Sequence, residues 1–80
     1  MQVTIFKVKL DTTQNVALFV TVCMHYDCDI ICKSGNLDGD CKSLIGMMNF
    51  IGKNTDVYFN CDDERVVELF RDEIKLWIAE

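Results

Sequence analysis

Side chains that could carry out chemistry are few in this sequence and lie far apart along it. The 80 residues include one histidine, His25, and five cysteines, Cys23, Cys28, Cys32, Cys41 and Cys61. An imidazole can take part in proton or group transfer and can bind a metal, and thiolates can bind metals or form disulfides. A further candidate is Ser43, whose hydroxyl precedes a short apolar run and could cap a helix or accept a phosphate.

The cysteine pattern indicates buried thiols rather than a framework of disulfides. The number is odd, and no two cysteines have the Cys-x-x-Cys spacing of zinc ribbons and redox motifs. Because we find no secretory signal, we expect a cytoplasmic protein whose reduced cysteines pack in or near the core. A metal site that uses Cys28 and Cys32 is the alternative. Otherwise we expect no metal and no cofactor.

The net charge and the lengths of the apolar runs exclude some classes of binding partner. A net charge of −5 without a cluster of lysines and arginines argues against nucleic-acid binding. No apolar run approaches the roughly 18 residues of a membrane span, so we expect no membrane association. Asp38-Gly39-Asp40 matches part of a calcium loop but lacks the other ligands, which favours a solvated irregularity in a strand. Composition leaves the remaining kinds of partner and the oligomeric state open.

Half of the residues are hydrophobic, which excludes a disordered chain, and the length supports one domain over residues 1–80.

The first half of the chain predicts two strands, a helix between them and a third, poor strand. In residues 3–10 apolar and polar side chains alternate, which predicts a strand with Phe6, Val8 and Leu10 on its buried face. A helix follows, from residues 11–13 to about residues 26–27. Its apolar stripe consists of Val16, Phe19, Val20, Cys23 and Met24. Residues 28–33 alternate again, and a turn at residues 34–36 leads to a poor strand over residues 37–42.

The second half of the chain predicts a short helix, a strand and a long helix. Residues 43–50 suit a helix of about two turns that starts at Ser43. Residues 57–61 alternate as a fourth strand. The last helix is capped by Asp62 or Asp63 and has an apolar stripe of Val66, Leu69, Phe70, Ile74, Trp77 and Ile78. Helices with one apolar stripe, together with strands that have one solvent-exposed face, predict a single sheet covered by helices on one side.

Two segments stand out as motifs: Lys42-Ser43-Leu44-Ile45-Gly46-Met47-Met48 and Tyr26-Asp27-Cys28-Asp29-Ile30. They resemble, at the same separation, the Lys-Ser-Ile-Met-Gly-Val-Met and Tyr-Asp-Ala-Asp-Val segments of HPr, the phosphocarrier family of the bacterial sugar phosphotransferase system. Phe6-Lys7-Val8 also resembles the family's first strand. The resemblance implies an α+β open-faced β-sandwich of order βαββαβα, with a four-stranded antiparallel sheet and three helices on one face.

The resemblance stops at the residue that gives HPr its activity. The family carries its phosphoryl group on a histidine in a Gly-x-His-Ala-Arg-Pro segment, and that position falls near Thr12 and Thr13 here. The local sequence is Asp11-Thr12-Thr13-Gln14-Asn15-Val16, which offers no imidazole. A hydroxyl phosphoester does not pass its phosphate on readily, so we predict no catalytic residue and no enzyme. His25 lies near the far end of the first helix, where we expect an ordinary surface histidine.

The resemblance assigns roles to the short helix. Ser43 matches a serine that a dedicated kinase phosphorylates in many Gram-positive bacteria, and Leu44, Ile45 and Met48 match the family's apolar docking surface. The plainer interpretations are a helix cap and side chains that close the core. We predict an HPr-like protein that has lost its transfer histidine and binds phosphotransferase or carbon-control proteins, with Ser43 as a switch. The alternatives are a plain interaction domain outside sugar transport and an active carrier that uses His25.

Overall fold

The computed structural model describes residues 2–79. It contains strands β1 (Val3–Lys9), β2 (Asp29–Ser34), β3 (Leu37–Asp40) and β4 (Asn54–Asn60), and helices α1 (Thr13–Met24), α2 (Leu44–Met47) and α3 (Glu64–Ile74). Short 3₁₀ turns, Met48–Phe50 and Lys75–Trp77, extend α2 and α3. The strands form one antiparallel sheet in the order β1-β4-β2-β3. Both the order of elements and the α+β class are as predicted. Within these residues, no helix is long and apolar enough to cross a membrane.

Each helix begins where a side-chain oxygen accepts one of its first free N–H groups. Thr12, Ser43 and Asp63 accept the N–H groups of Asn15, Gly46 and Arg65 over 3.1, 3.2 and 3.0 Å. The bond from Arg65 holds the pKa of the Asp63 carboxyl below its usual range. Of the two predicted caps for the last helix, Asp63 is therefore the one used. Such caps satisfy donors that the helix itself leaves unpaired.

The two faces of the sheet differ in kind. The inner face is buried under the helices and holds Phe6 and Val8 of β1, Ile30 and Cys32 of β2, and Val57 and Phe59 of β4. The outer face is open to solvent. There Tyr58 of β4 lies between Ile5 of β1 and Ile31 of β2. The next row across the four strands consists of Lys7, Asp56, Lys33 and Asp38. Opposite charges thus alternate across the four strands, with Lys7 Nζ 3.1 Å from Asp56 Oδ1.

An aromatic stack joins the sheet to α3. The rings of Phe59 and Phe70 lie 4.2 Å apart between centroids and within 9° of parallel. Phe6 and Tyr26 meet Phe70 edge to face, at 5.5 and 5.2 Å. Offset-stacked and edge-to-face pairs add to the stabilisation that burial alone supplies. These four rings fix the position of α3 over the middle of the sheet.

Tyr26 should make stability depend on alkaline pH. Its hydroxyl donates a hydrogen bond to Glu73, and burial together with that carboxylate raises its pKa above the ordinary value. Because the folded state prefers the neutral phenol, its contribution is complete below the unfolded pKa of about 10 and is lost as pH rises further. We expect the free energy of unfolding of Tyr26→Phe to fall less steeply than that of the original protein as pH rises above about 10, as measured by urea titration. An unchanged slope would contradict this role.

The poor strand predicted around Gly39 is a paired edge strand, β3. Gly39 lies opposite Cys32 of β2, under the ring of Phe50. A Cβ atom at this position would come within 2.7 Å of Phe50 Cε1 and 3.2 Å of Cys32 Sγ. A residue with poor strand propensity therefore occupies the strand because only a bare Cα fits beneath the phenylalanine.

Two side chains predicted to be buried are exposed. Met24 is 64 % exposed and Leu69 is 56 % exposed. Met24 is the last residue of α1 and lies at the margin of its buried stripe. On α3 the buried face runs through Val67, Phe70 and Ile74, and at 3.6 residues per turn Leu69 lies on roughly the opposite side. The buried face of α3 therefore includes Val67, which the prediction left out, and excludes Leu69, which the prediction included.

Candidate functional site

Ser43 lies where the chain passes from β3 into α2. Its backbone is extended, with φ −105° and ψ 112°, and its N–H donates to the carbonyl of Asp40 over 2.9 Å. Its Oγ accepts the Gly46 N–H, and its carbonyl accepts the Met47 N–H over 2.9 Å. The half-buried hydroxyl thus marks the first turn of the helix, as predicted.

The short helix segment separates into a buried and an exposed side. Met47 and Phe50 are fully buried and anchor it to the core. Leu44, Ile45 and Met48 are 47, 84 and 38 % exposed, and we call these three residues the α2 patch. Residues three and four positions apart are neighbours on a helix, so Met48 lies beside both of the others. The apolar surface is therefore continuous and adjoins Ser43. The helix is also shorter than predicted, since its second turn is 3₁₀.

Lys42 connects the two motif segments in space. Its N–H donates to Asp40 Oδ1 over 2.9 Å, and its ammonium donates to the carbonyl of Tyr26 over 2.5 Å. The neighbouring Cys41 N–H donates to the carbonyl of Ile30 over 3.1 Å. The connection from α1 to β2 is thereby held against the start of α2. The sequence carries no signal of this contact, because the lysine stem and the carbonyl it reaches are far apart along the chain.

The connection between β1 and α1, residues 10–12, contains no histidine. Thr12 uses its hydroxyl as the helix cap, and Thr13 is the first helical residue; both are exposed. His25 lies at the opposite end of α1, where it is the C-terminal cap and its N–H donates to the carbonyl of Val22 over 3.1 Å. The histidine is therefore a helix length away from the position near Thr12 and Thr13.

The five cysteines form two groups. Cys23, Cys32 and Cys41 are fully buried, with the Cys41 thiol in contact with the other two, and these contacts with burial raise the pKa of Cys41. Cys28 and Cys61 are half-buried neighbours at the margin of the core. Four residues of a strand span about 13 Å, which is too far for Cys28 and Cys32 to share a metal. Within residues 2–79 no three histidine, cysteine or carboxylate side chains are arranged to hold a metal ion.

The two aspartates of the predicted strand irregularity both have structural contacts. Asp38 lies opposite Lys33 in the register of β2 and β3, and Asp40 accepts the N–H of Lys42. Asp40 is thus oriented toward the turn before α2, and the pair on β3 contributes to that turn and to the charge row of the sheet.

Solved structures identify the architecture. No protein-family model matches the chain, and no curated protein matches it significantly. The phosphocarrier protein HPr of Bacillus anthracis str. Ames superposes with a TM-score of 0.66 at 18 % identity, over 91 % of this chain and 98 % of its own. HPr-C-His of Thermoanaerobacter tengcongensis gives 0.69 at 22 %, over 94 % and 92 %. The histidine-containing phosphocarrier protein of a mycoplasma gives 0.68 at 10 %, over 96 % and 100 %. The fold is therefore an HPr-like open-faced β-sandwich, as predicted.

Ser43→Ala tests the cap of α2. Loss of the Oγ acceptor leaves the Gly46 N–H without its partner, and we expect the free energy of unfolding to fall by about 1 kcal/mol in urea titrations. Ser43→Asp keeps an acceptor at the same position and should remain within about 0.5 kcal/mol of the original protein. Equal losses in both variants would show that the hydroxyl does not act as a cap.

Proposed function

We propose that this protein is a relative of the HPr phosphocarriers that no longer transfers phosphoryl groups through histidine and instead regulates a protein partner. The partner binds the α2 patch, and phosphorylation of Ser43 switches the binding. The observation that carries the proposal is the continuous exposed apolar surface of Leu44, Ile45 and Met48 directly after a capping serine.

Loss of phosphoryl transfer is supported by the ends of α1. A phosphohistidine is favoured beside the free N–H groups of a helix N-terminus, and at that end of α1 Thr12 offers only a hydroxyl that already serves as a cap. His25 lies at the C-terminal end, where carbonyl groups and the negative end of the helix dipole disfavour a phosphate. A non-standard carrier that uses His25 would thus work against the local electrostatics.

The partner-binding role is supported by how little the α2 patch contributes to the core. Met47 and Phe50 already close the core beneath α2, so an Ile45 side chain that is 84 % exposed has no packing role there. Methionine side chains adapt to varied apolar surfaces, which suits Met48 for binding. A protein with an apolar groove is the complementary partner.

The switch is supported by the position of the Ser43 hydroxyl. A phosphate on Oγ adds roughly −1.5 to −2 charges beside the first N–H groups of α2, where the helix end favours an anion. The modified residue would adjoin the α2 patch, so a partner with a basic group beside its groove would distinguish the two forms. Phosphorylation of the capping atom also changes the local hydrogen bond to Gly46.

Intact mass after enzymatic phosphorylation tests both chemical claims. The protein is incubated with phosphoenolpyruvate and the first phosphotransferase enzyme, and separately with ATP and the serine kinase of the HPr family. We expect no acid-labile phosphate in the first reaction and one acid-stable phosphate in the second. That phosphate should be absent from Ser43→Ala and present in Ser34→Ala, which removes the chain's other serine. An acid-labile phosphate lost in His25→Ala would instead establish a carrier.

Binding measurements test the docking surface. Amide chemical-shift changes on adding phosphotransferase or carbon-control proteins should centre on residues 42–50. We expect Ile45→Asp to weaken the dissociation constant at least tenfold, which corresponds to about 1.4 kcal/mol. Leu76→Asp is the matched control, since Leu76 is 81 % exposed outside the α2 patch. Equal effects of the two substitutions would contradict the site, and no binding to any of these proteins would favour an interaction domain outside sugar transport.

A further inference from the structure

Cys28 and Cys61 lie side by side at one end of the sheet. β2 and β4 pair with Asp29 opposite Asn60, and one further step along both strands brings Cys28 opposite Cys61. A side-chain bond joins the two strands at this end, where the Asn60 amide donates to the Asp29 carbonyl over 3.1 Å. The Cys61 N–H likewise donates to the carbonyl of Gln2 over 3.2 Å. The two thiols are neighbours at the margin of the core.

This arrangement meets the geometric requirements of a disulfide. Residues that face each other in an antiparallel pair have Cα atoms about 4.5–5.5 Å apart. Disulfides span Cα separations of about 4.4–6.8 Å. Cys28 and Cys61 also continue the alternation of Ile30 and Phe59, so both side chains belong to the same face of the sheet. The register of β2 and β4 therefore favours bond formation by rotation of the two side chains.

Solvent access separates this pair from the other three cysteines. Cys28 and Cys61 are half-buried at the rim of the core, whereas Cys23, Cys32 and Cys41 are each 0 % exposed. Cys32 Sγ also lies 3.0 Å from the buried Met47 Sδ. A dissolved oxidant can therefore reach the rim pair while the protein stays folded, and it cannot reach the buried three.

We propose that Cys28 and Cys61 are a redox modification site, which low-molecular-weight disulfides such as oxidised glutathione convert to a reversible intramolecular disulfide. One thiolate of the pair attacks a sulfur of the oxidant, breaks its S–S bond and releases one thiolate, which takes up a proton. The second protein thiol gives its proton to solvent and attacks the mixed disulfide. This forms the Cys28–Cys61 bond and releases the second glutathione. Two electrons pass from the protein to the oxidant, and excess thiol reverses both steps.

The bond would stabilise the protein mainly through its unfolded state. It joins the start of β2 to the segment that precedes α3, and closing this long loop restricts the unfolded ensemble. Burial and the neighbouring Cys61 thiol raise the pKa of Cys28 to about 11, so the Cys28 thiol stays protonated at neutral pH. Exchange is therefore slow near neutrality and requires an excess of oxidant.

The test treats the fully reduced, folded chain with excess oxidised glutathione, followed by alkylation in denaturant, intact mass and peptide mapping. We expect the loss of two hydrogen masses, three alkylated cysteines, and one bridged peptide containing Cys28 and Cys61. Thermal unfolding should shift upward by at least roughly 5 °C and return on reduction. Cys28→Ser and Cys61→Ser should each retain one glutathione adduct on the remaining rim cysteine, with circular dichroism confirming that they fold.

Three results would overturn the proposal. One is a bridge mapped to any other pair, the second is a stable glutathione adduct on the unmutated protein without an internal bond, and the third is complete alkylation of all five cysteines after treatment. None of these depends on a variant, so failure of a serine variant to fold does not affect the decision.

Discussion

Phe70→Ala is expected to lower the free energy of unfolding by about 4 kcal/mol, the largest effect we predict for a single substitution. Phe70 is 0 % exposed and stacks on Phe59 with Phe6 and Tyr26 against its edges. Truncation removes the ring's burial and leaves a cavity between α3 and the sheet, which the surrounding rings cannot fill without losing their own contacts. A domain of this size has a total stability of about 5–15 kcal/mol, so the variant should be close to unfolding.

Urea denaturation followed by the fluorescence of Trp77, the only tryptophan, measures this loss. Leu69→Ala is the matched control because it lies on the same helix and is 56 % exposed. We expect that control to change stability by less than about 0.5 kcal/mol. If both substitutions destabilised the protein equally, α3 would be rotated relative to the face we describe.

Gly39→Ala is expected to cost about 2 kcal/mol, because overpacking forces side chains out of their rotamers. The added Cβ would lie 2.7 Å from Phe50 Cε1, and Phe50 is fully buried at the end of the 3₁₀ turn that follows α2. The ring has to move, and the α2 patch is attached to the same segment. We therefore expect amide shifts to change at residues 44–50 as well as in β3.

A double-mutant cycle shows whether the contact with Phe50 is the cause. Phe50→Leu removes the ring atoms nearest to Gly39 and should lower the cost of the added methyl group, giving a coupling energy of about 1 kcal/mol. Strict additivity of the two substitutions would place the strain elsewhere, for example against Cys32 Sγ, which is 3.2 Å from the added atom.

Local sequence patterns predicted most of the fold because each pattern reflects one physical requirement of a helix or a strand. The alternation of Phe6, Val8 and Leu10 reflects a strand with one buried face, and Thr12 and Ser43 reflect unpaired N–H groups at helix starts. Leu69 was assigned wrongly because two overlapping apolar stripes exist on α3. Only the position of the sheet chooses between them, and it selects the stripe through Val67.

The candidate site was predictable in part. Ser43 could be predicted as a helix cap from the local sequence, because capping is a local property. Leu44, Ile45 and Met48 were predicted as a surface through the resemblance to HPr. The contact between Lys42 and Tyr26 and the pairing of Cys28 with Cys61 were not predictable, because both depend on which strands become neighbours. Placing β4 between β1 and β2 is a property of the whole fold, and it alone brings the two cysteines face to face.

The charges on the two edge strands affect the tendency of the protein to aggregate at high concentration. β1 and β3 are the edges of the sheet, and one carries Lys7 and Lys9 while the other carries Asp38 and Asp40. Pairing of like edges from two molecules would oppose charges of one sign. Part of β1 is also covered, since Val8 bridges to Ile78 and the Ala79 N–H donates to the carbonyl of Lys7 over 2.8 Å. The charges thus disfavour pairing of like edges, and the segment around Ile78 limits the pairing of β1 with an oppositely charged β3 of another molecule.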